Sequence, residues 1–287
     1  MFAELADVKK DDVVFDNCCG TGGFLIAAMK KMIKDAKGDN TGIKKIKASQ
    51  LVGIEPRSDM FALACANMIL RDDAKANLYW ESCFDLVNTI MKNHVCTVGF
   101  LNPPYSQKGE GLHELDFIEN CMSCLQKDNI CIAIVPISCA TMPNIQKHNL
   151  LTKHTLEAVM SLPVELFYPV AAVPCIMVFR AKVPHNPRKP SWFGYWRNDG
   201  FVKTKDEGRV DRFQRWETIK QRWLDNYFAK REIEDECLLQ CVTSDDEWVA
   251  EAYMKTDYSK ITEDDFFSSL KEYTVFKIKN LDFGVTS

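Results

Sequence analysis

The chain has 287 residues, of which 46% are hydrophobic and 26% charged, with a formal net charge of −4 at pH 7. That length and apolar content support one full α/β core plus a smaller appended region, and exclude a globally disordered chain. The mild acidity excludes a protein that holds nucleic acid through a uniformly basic surface, so any DNA contact is local or supplied by a partner.

Basic clusters do occur, at Lys30, Lys31, Lys34 and Lys37, at Lys44, Lys45 and Lys47, and within 180–189 and 209–222. Their plain reading is a set of solvated faces. Twelve cysteines in a chain with no visible signal peptide indicate a reducing compartment, and a cytoplasmic location is expected. Most, such as Cys131 and Cys175, sit in apolar runs and behave as small hydrophobes. Cys121 and Cys124 form a CxxC with no second pair at zinc spacing, so no metal site is expected. No apolar run approaches a bilayer span, and no membrane association is expected.

In chain order, Val13–Asp16 reads as a buried strand and Gly23–Lys34 as a helix, apolar early and basic late. Only a short segment precedes Val13, which suggests a domain boundary or an incomplete gene product. Leu51–Glu55 is a second strand, and Ser58 is the expected N-cap of a helix over Asp59–Leu70. Asn77–Cys83 and Val98–Leu101 are the third and fourth strands. A helix over Leu115–Leu125 and strands at Ile130–Val135, Glu157–Leu162 and Ile176–Phe179 follow. Repeated βα units predict an α/β fold with a parallel, doubly wound, Rossmann-like sheet and helices on both faces. Ligands of such sheets sit beyond the carboxyl ends of the strands.

The pattern changes at Pro184-His185-Asn186-Pro187. The division expected is a catalytic domain over 1–183 and a smaller, mostly helical extension over 184–287, a possible partner or DNA contact. The extension holds Trp192, Trp196, Trp216, Trp223 and Trp248, with helices predicted at Trp216–Lys230 and Trp248–Met254.

Two segments carry chemistry. Asp16-Asn17-Cys18-Cys19-Gly20-Thr21-Gly22-Gly23 joins the first strand to a helix. Glycines there let the backbone approach a ligand, and the helix N-terminus directs amides at it. The G-x-G-G spacing departs from the dinucleotide G-x-G-x-x-G, which disfavours a nicotinamide enzyme. Glu55, ending the second strand, is suited to accept from both ribose hydroxyls of a nucleoside. Beyond the third strand, either a carboxylate of Glu81 or Asp85, or Ser82, is placed to meet an adenine edge. Asn102-Pro103-Pro104-Tyr105 follows the apolar fourth strand. Its two prolines preset a stiff turn. The Asn102 side-chain oxygen and the Pro103 carbonyl are each able to accept a hydrogen from an amino group on a planar ring, and Tyr105 to stack on that ring.

The glycine turn followed by Asn-Pro-Pro-Tyr resembles the S-adenosylmethionine-dependent amino-methyltransferases. The fuller resemblance is to adenine-specific DNA methyltransferases, in particular the modification subunits of type I restriction systems. It covers residues 12–182 and touches the tail at FGYWRNDGF, GRVDRF and DEWVAEAYMKTDYS. The resemblance implies S-adenosylmethionine held by Asp16, Cys18, Gly20, Thr21, Gly22, Gly23 and Glu55, with Ser82 as the third-strand candidate. It implies catalytic positions at Asn102, Pro103, Pro104 and Tyr105. A second aromatic against the base falls on Phe167 or Tyr168. The family's upstream helical domain, with an aromatic near the methionine end of the cofactor, has no counterpart before Val13. The third-strand motif departs from the family in placing Glu81 where a glycine is usual.

The implied reaction is transfer of a methyl group to the exocyclic N6 of a flipped-out adenine in DNA. The implied partners are DNA, a specificity subunit and a restriction subunit. Two rivals are a methyltransferase acting on a protein glutamine, whose amide also suits the Asn-Pro corner, and a catalytically incomplete subunit acting through protein contacts.

Overall fold

The computed structural model describes residues 1–71, 77–105, 112–167, 172–204, 208–255 and 262–280. Residues up to Tyr253 form one compact unit. Its strands are β1 (Val14–Asp16), β2 (Leu51–Ile54), β3 (Asn77–Tyr79), β4 (Cys96–Leu101), β5 (Leu125–Pro136), β6 (Thr155–Ser161), β7 (Pro174–Arg180), β8 (Ser191–Tyr195), β9 (Val202–Thr204), β10 (Gly208–Val210) and β11 (Cys237–Gln240). Nine of them form one sheet in the order β11-β8-β6-β7-β5-β4-β1-β2-β3, and β9 and β10 form a separate hairpin. Every residue of β1 and β2 and nearly all of β4 and β7 are buried, so both faces of the sheet are covered.

The winding follows the predicted plan in its first half. From the central β1 the chain runs outward through β2 to β3, then returns to β4 on the other side of β1 and continues to β5, all parallel. The helix Gly23–Asp35 packs on β1 and β2, and the helix Glu114–Cys124 packs on β4 and β5. In the second half the sheet is mixed, which corrects the expectation of a parallel one. β7 lies between β5 and β6 and runs against both, and β11 runs against β8. The described part of the β6–β7 link, residues 162–167 and 172–173, holds no helix, so it returns the chain antiparallel instead of crossing over.

The composition break at Pro184–Pro187 does not end the sheet. β8 pairs parallel with β6, and β11 adds to its far edge. The tryptophans of this stretch explain why. Trp192 is fully buried, Trp196 stacks on Trp223 at 4.9 Å, and Trp216 meets Trp223 edge-on at 5.8 Å. These contacts fasten the helix Trp216–Phe228 over β8. Aromatic burial of this size dominates local packing energetics.

Two local expectations fail. The helix after β2 is Ser58–Ile69, so Ser58 is its first residue, and the preceding Arg57 makes no side-chain cap. The helix predicted over Trp248–Met254 shrinks to one 3-10 turn, Ala250–Ala252. Trp248 is instead drawn into the core: its indole donates to Thr243 O at 2.8 Å, and Lys147 Nζ lies 4.4 Å from its ring centroid. Tertiary burial overrides the helical pattern there. From Met254 a second unit begins, described as the helix Glu263–Asn280, opened by Thr262 bonding Asp265.

Candidate active site

The carboxyl ends of β1 to β4 open onto a cavity of about 670 Å³, within the size range of small-molecule sites. Its walls carry Asn17, Cys18 and Gly20 from the glycine turn, Glu55 to Arg57 and Met60 after β2, and Ser82 to Phe84 after β3. Asn102 to Tyr105 after β4, Leu112, Phe117 and Phe167 complete it. The sheet order dictates this convergence. β1 and β4 are neighbours whose connections leave in opposite directions, so a crevice opens between their ends.

The second-strand acid is locked. Glu55 is buried, its Oε2 accepts from Gly20 N at 3.0 Å, and its Oε1 accepts from Arg57 N at 2.9 Å. Each oxygen keeps a lone pair for a ligand hydroxyl. Cys19 N donates to Ile54 O at 2.9 Å, and Gly22 N to Cys19 O at 2.7 Å, closing the turn tightly. Gly20 and Gly22 have φ of +53° and +81°, in the left-handed region that a side chain strains. A Cβ on Gly20 would meet nothing within 4 Å, which leaves this face open to a ligand.

Behind the turn lie two orphaned acceptors. Asp16, at the end of β1, is buried; Oδ1 accepts from Cys18 N at 3.1 Å, and Oδ2 has no partner. Burial first, with the nearby Glu55 carboxylate adding to it, pushes the Asp16 carboxyl up to about 7. Asn17 donates through Nδ2 to Phe117 O and to Asn120 Oδ1, both at 2.9 Å, and its own Oδ1 is buried without a partner. Asn120 Nδ2 in turn donates to Cys83 O at 3.1 Å. Two amides thus brace the glycine turn, the helix Glu114–Cys124 and the loop after β3.

At the fourth strand the chain leaves the buried Leu101 and exposes the Asn102 side chain, while Pro103 is buried beneath it. Tyr105 turns its hydroxyl inward, where it is buried and unpartnered. Burial, with Cys175, Cys139 and Glu114 nearby, pushes that phenol well above its ordinary range. Its ring meets Phe167 edge-on at 6.1 Å. Asn102 and this aromatic pair therefore line the same cavity as Glu55.

Of the residues expected from sequence, the structure brings together Cys18, Gly20, Glu55, Ser82, Asn102, Pro103, Pro104, Tyr105 and Phe167 on the cavity wall. Asp16 supports the turn from behind. Thr21, Gly22 and Gly23 lie off the wall, where the turn enters its helix, and Thr21 O accepts from Asn67. Tyr168 lies outside the described residues. Asn17, Cys83 and Phe84 fall in segments that the sequence marks as pocket walls without assigning them a role, whereas Pro56, Arg57, Met60, Leu112 and Phe117 are additions of the structure. Pro56 and Arg57 sit beside Glu55, which was expected. Phe84 meets Phe117 edge-on at 5.0 Å, and nothing in the helical pattern around Phe117 distinguishes a ligand face from a core face.

The basic clusters are in part neutralised. Arg180 pairs with Glu157 and Asp128, Arg209 with Asp199, Lys220 with Glu4 and Glu217, and Arg222 with Glu236. Among the described residues, His113, Glu114 and Cys139 bring ligand-type atoms within 4.8 Å of one another, with His113 Nδ1 accepting from Leu115 N. No described helix is long and apolar enough to cross a membrane.

The fold is shared with a protein described as a class I S-adenosylmethionine-dependent methyltransferase, and the cavity lies at the ends of the strands where doubly wound sheets bind ligands. Residues 1–133 match the N-6 DNA Methylase family, and the chain resembles methyltransferases of restriction systems. It is 35% identical to the Type II restriction enzyme and methyltransferase RM.BcgI of Heyndrickxia coagulans, over 96% of this chain and 44% of that protein. The chain thus spans less than half the length of this relative. Among solved structures, the type I restriction-modification system methyltransferase subunit from Streptococcus thermophilus superposes with a TM-score of 0.62 at 17% identity. That match covers 83% of this chain and 53% of the other. A Listeria monocytogenes protein assigned to the class I S-adenosylmethionine-dependent methyltransferases gives 0.53 at 16% identity, over 79% and 67%.

Proposed function

We propose that the chain methylates the exocyclic N6 of adenine in DNA, as the modification component of a restriction-modification system. The observation that carries this reading is that the Asn102–Tyr105 corner and the Gly20–Glu55 pair line one cavity. A nucleoside cofactor fits the donor set. The locked Glu55 carboxylate suits the ribose diol, Ser82 and Phe84 suit the adenine, and the orphaned Asn17 Oδ1 on the wall, with the Asp16 carboxyl behind it, suits a cationic amino-acid end. When bound, S-adenosylmethionine supplies an electrophilic sulfonium methyl.

The remaining work falls to the chain's own residues. The adenine amino nitrogen is a weak nucleophile, because its lone pair is delocalised into the ring. Asn102 Oδ1 and the Pro103 carbonyl accept its two hydrogens and favour a pyramidal nitrogen. The stiff diproline turn holds both acceptors in place, so little ordering is needed as the reaction proceeds. Tyr105 and Phe167 flank the base, which must leave the duplex to reach this depth. The proton released after transfer needs no strong base, and neither His nor Cys is assigned that role. DNA, a specificity subunit and a restriction subunit are the partners proposed. The mild acidity supports delegating sequence reading to another subunit.

The test is transfer of labelled methyl from S-adenosylmethionine to DNA and, separately, to protein acceptors. DNA is the expected acceptor. Asn102→Ala is expected to lower transfer by about 10²–10³, the usual cost of losing one positioned hydrogen-bond partner, while cofactor affinity stays within twofold. Labelling of protein alone, or full activity in Asn102→Ala, refutes the reading.

A further inference from the structure

Cys18 and Cys83 both line the cavity, and they come from different walls of it: Cys18 from the glycine turn and Cys83 from the loop after β3. Both are free thiols lining one cavity, and each is the largest influence on the ionisation of the other. Cys121, on the helix Glu114–Cys124, and Cys131, in β5, also meet, but both are fully buried and closed to small molecules. Among the described residues, therefore, Cys18 and Cys83 combine this mutual influence with an open cavity.

We propose that Cys18 and Cys83 form an oxidation site that closes to a disulfide with peroxide and so shuts the cofactor cavity. The roles of the two sulfurs differ. Cys18 holds the Cys83 thiol below its ordinary value. Cys83 in turn, with burial and the carboxylates of Asp16 and Glu55, holds Cys18 protonated. Cys83 is thus the attacking sulfur. Its thiolate attacks one peroxide oxygen, the O–O bond breaks, and the departing hydroxide takes up the proton released by the thiol to leave as water, giving a sulfenic acid. The Cys18 sulfur then attacks the sulfenic sulfur, the S–O bond breaks, and a second water leaves with the Cys18 proton. Two thiols and one peroxide give one disulfide and two waters. A disulfide of about 2.0 Å is far shorter than any non-bonded sulfur contact. Closing it draws the Gly20 wall toward the Ser82 wall. The loss of cofactor affinity rests on the function proposed above; the chemistry of the pair does not.

The experiment uses the full chain carrying Cys241→Ser, which removes an exposed thiol remote from the cavity. The protein is treated with hydrogen peroxide, alkylated, digested and read by mass spectrometry. Affinity for S-adenosylmethionine is measured by calorimetry before oxidation, after it, and after dithiothreitol. The expected result is a linked Cys18–Cys83 peptide as the main disulfide and affinity lowered at least tenfold, restored by dithiothreitol. Adding Cys83→Ser should bring the oxidised-to-reduced affinity ratio to about one, whatever that variant's own affinity. No linked peptide, or a linked peptide with unchanged affinity, overturns the proposal. A linked peptide in a protein that binds no S-adenosylmethionine even when reduced overturns the gating and the cofactor reading, and leaves the oxidation site standing.

Discussion

Asp16→Asn separates what the site costs the fold from what it gives the ligand. The native carboxyl is fully enclosed, has one hydrogen bond, and is held at about 7 against an ordinary 3.8. Between those values the folded protein keeps a proton that the unfolded chain has released. Stability contributed by this group therefore falls as pH rises across that window, and is level above it. At about 1.4 kcal/mol for each pKa unit, the whole swing is about 4 kcal/mol at most. Asparagine is neutral throughout, and its Oδ1 still accepts from Cys18 N. The unfolding free energy of the variant minus that of the native protein should therefore rise with pH between about 4.5 and 8. Urea melts at half-unit pH steps measure this difference directly. S-adenosylmethionine should raise the native melting temperature more at pH 8 than at pH 6, and do so less in the variant. A stability difference that is flat with pH, or that turns against the variant at pH 8, refutes the buried-carboxyl argument.

Three further outcomes follow from the cavity walls. Glu55→Gln cannot accept from both Gly20 N and Arg57 N, so one amide loses its partner. A loss of about 1–3 kcal/mol in urea unfolding is expected, with a calorimetric fall in cofactor affinity. Tyr105→Phe removes a hydroxyl that is buried without a partner, so thermal melting should stay level or rise, and methyl transfer should persist because the role proposed for Tyr105 uses only its ring. A Cβ on Gly53 would lie 2.7 Å from Leu78 Cδ2, 2.9 Å from Leu25 Cδ1 and 3.0 Å from Cys19 Sγ. Gly53→Ala should cost about 1–3 kcal/mol by overpacking. It should also weaken cofactor binding, because Cys19 sits inside the glycine turn.

The parts of this site legible in the sequence are those where local chemistry and function coincide. Gly20 and Gly22 are readable because only glycine takes their backbone angles easily, and Asn102–Tyr105 because two prolines after an apolar strand have few other uses. The first five strands follow from apolar runs flanked by turns. The strand at β7 was legible but its antiparallel direction was not, because its residues read equally well in either direction and only the link from β6 decides. The sheet strands beyond Pro184 were hidden by a composition break that marks a change of surface, while Trp192 and Trp196 continue the core.

What stayed silent is the brace behind the ligand. Asn17 and Asn120 are 103 residues apart, and Asn120 reaches Cys83 across 37. Each asparagine taken alone is an ordinary polar residue, one in a turn and one on a helix. Their meaning appears only when β4 lies beside β1 and carries the following helix over the glycine turn. Asn17 spends both amide hydrogens on Phe117 O and Asn120 Oδ1, which fixes the orientation of its remaining oxygen. A buried acceptor held in one direction and left unpaired is a cost the fold bears before any ligand arrives. Asp16 Oδ2 is a second such acceptor at the same strand end. Asn17 lines the cavity and Asp16 lies behind it, so the end of β1 favours a ligand that brings hydrogen-bond donors with positive charge, and disfavours a phosphate, for which the same glycine turn would otherwise be suited.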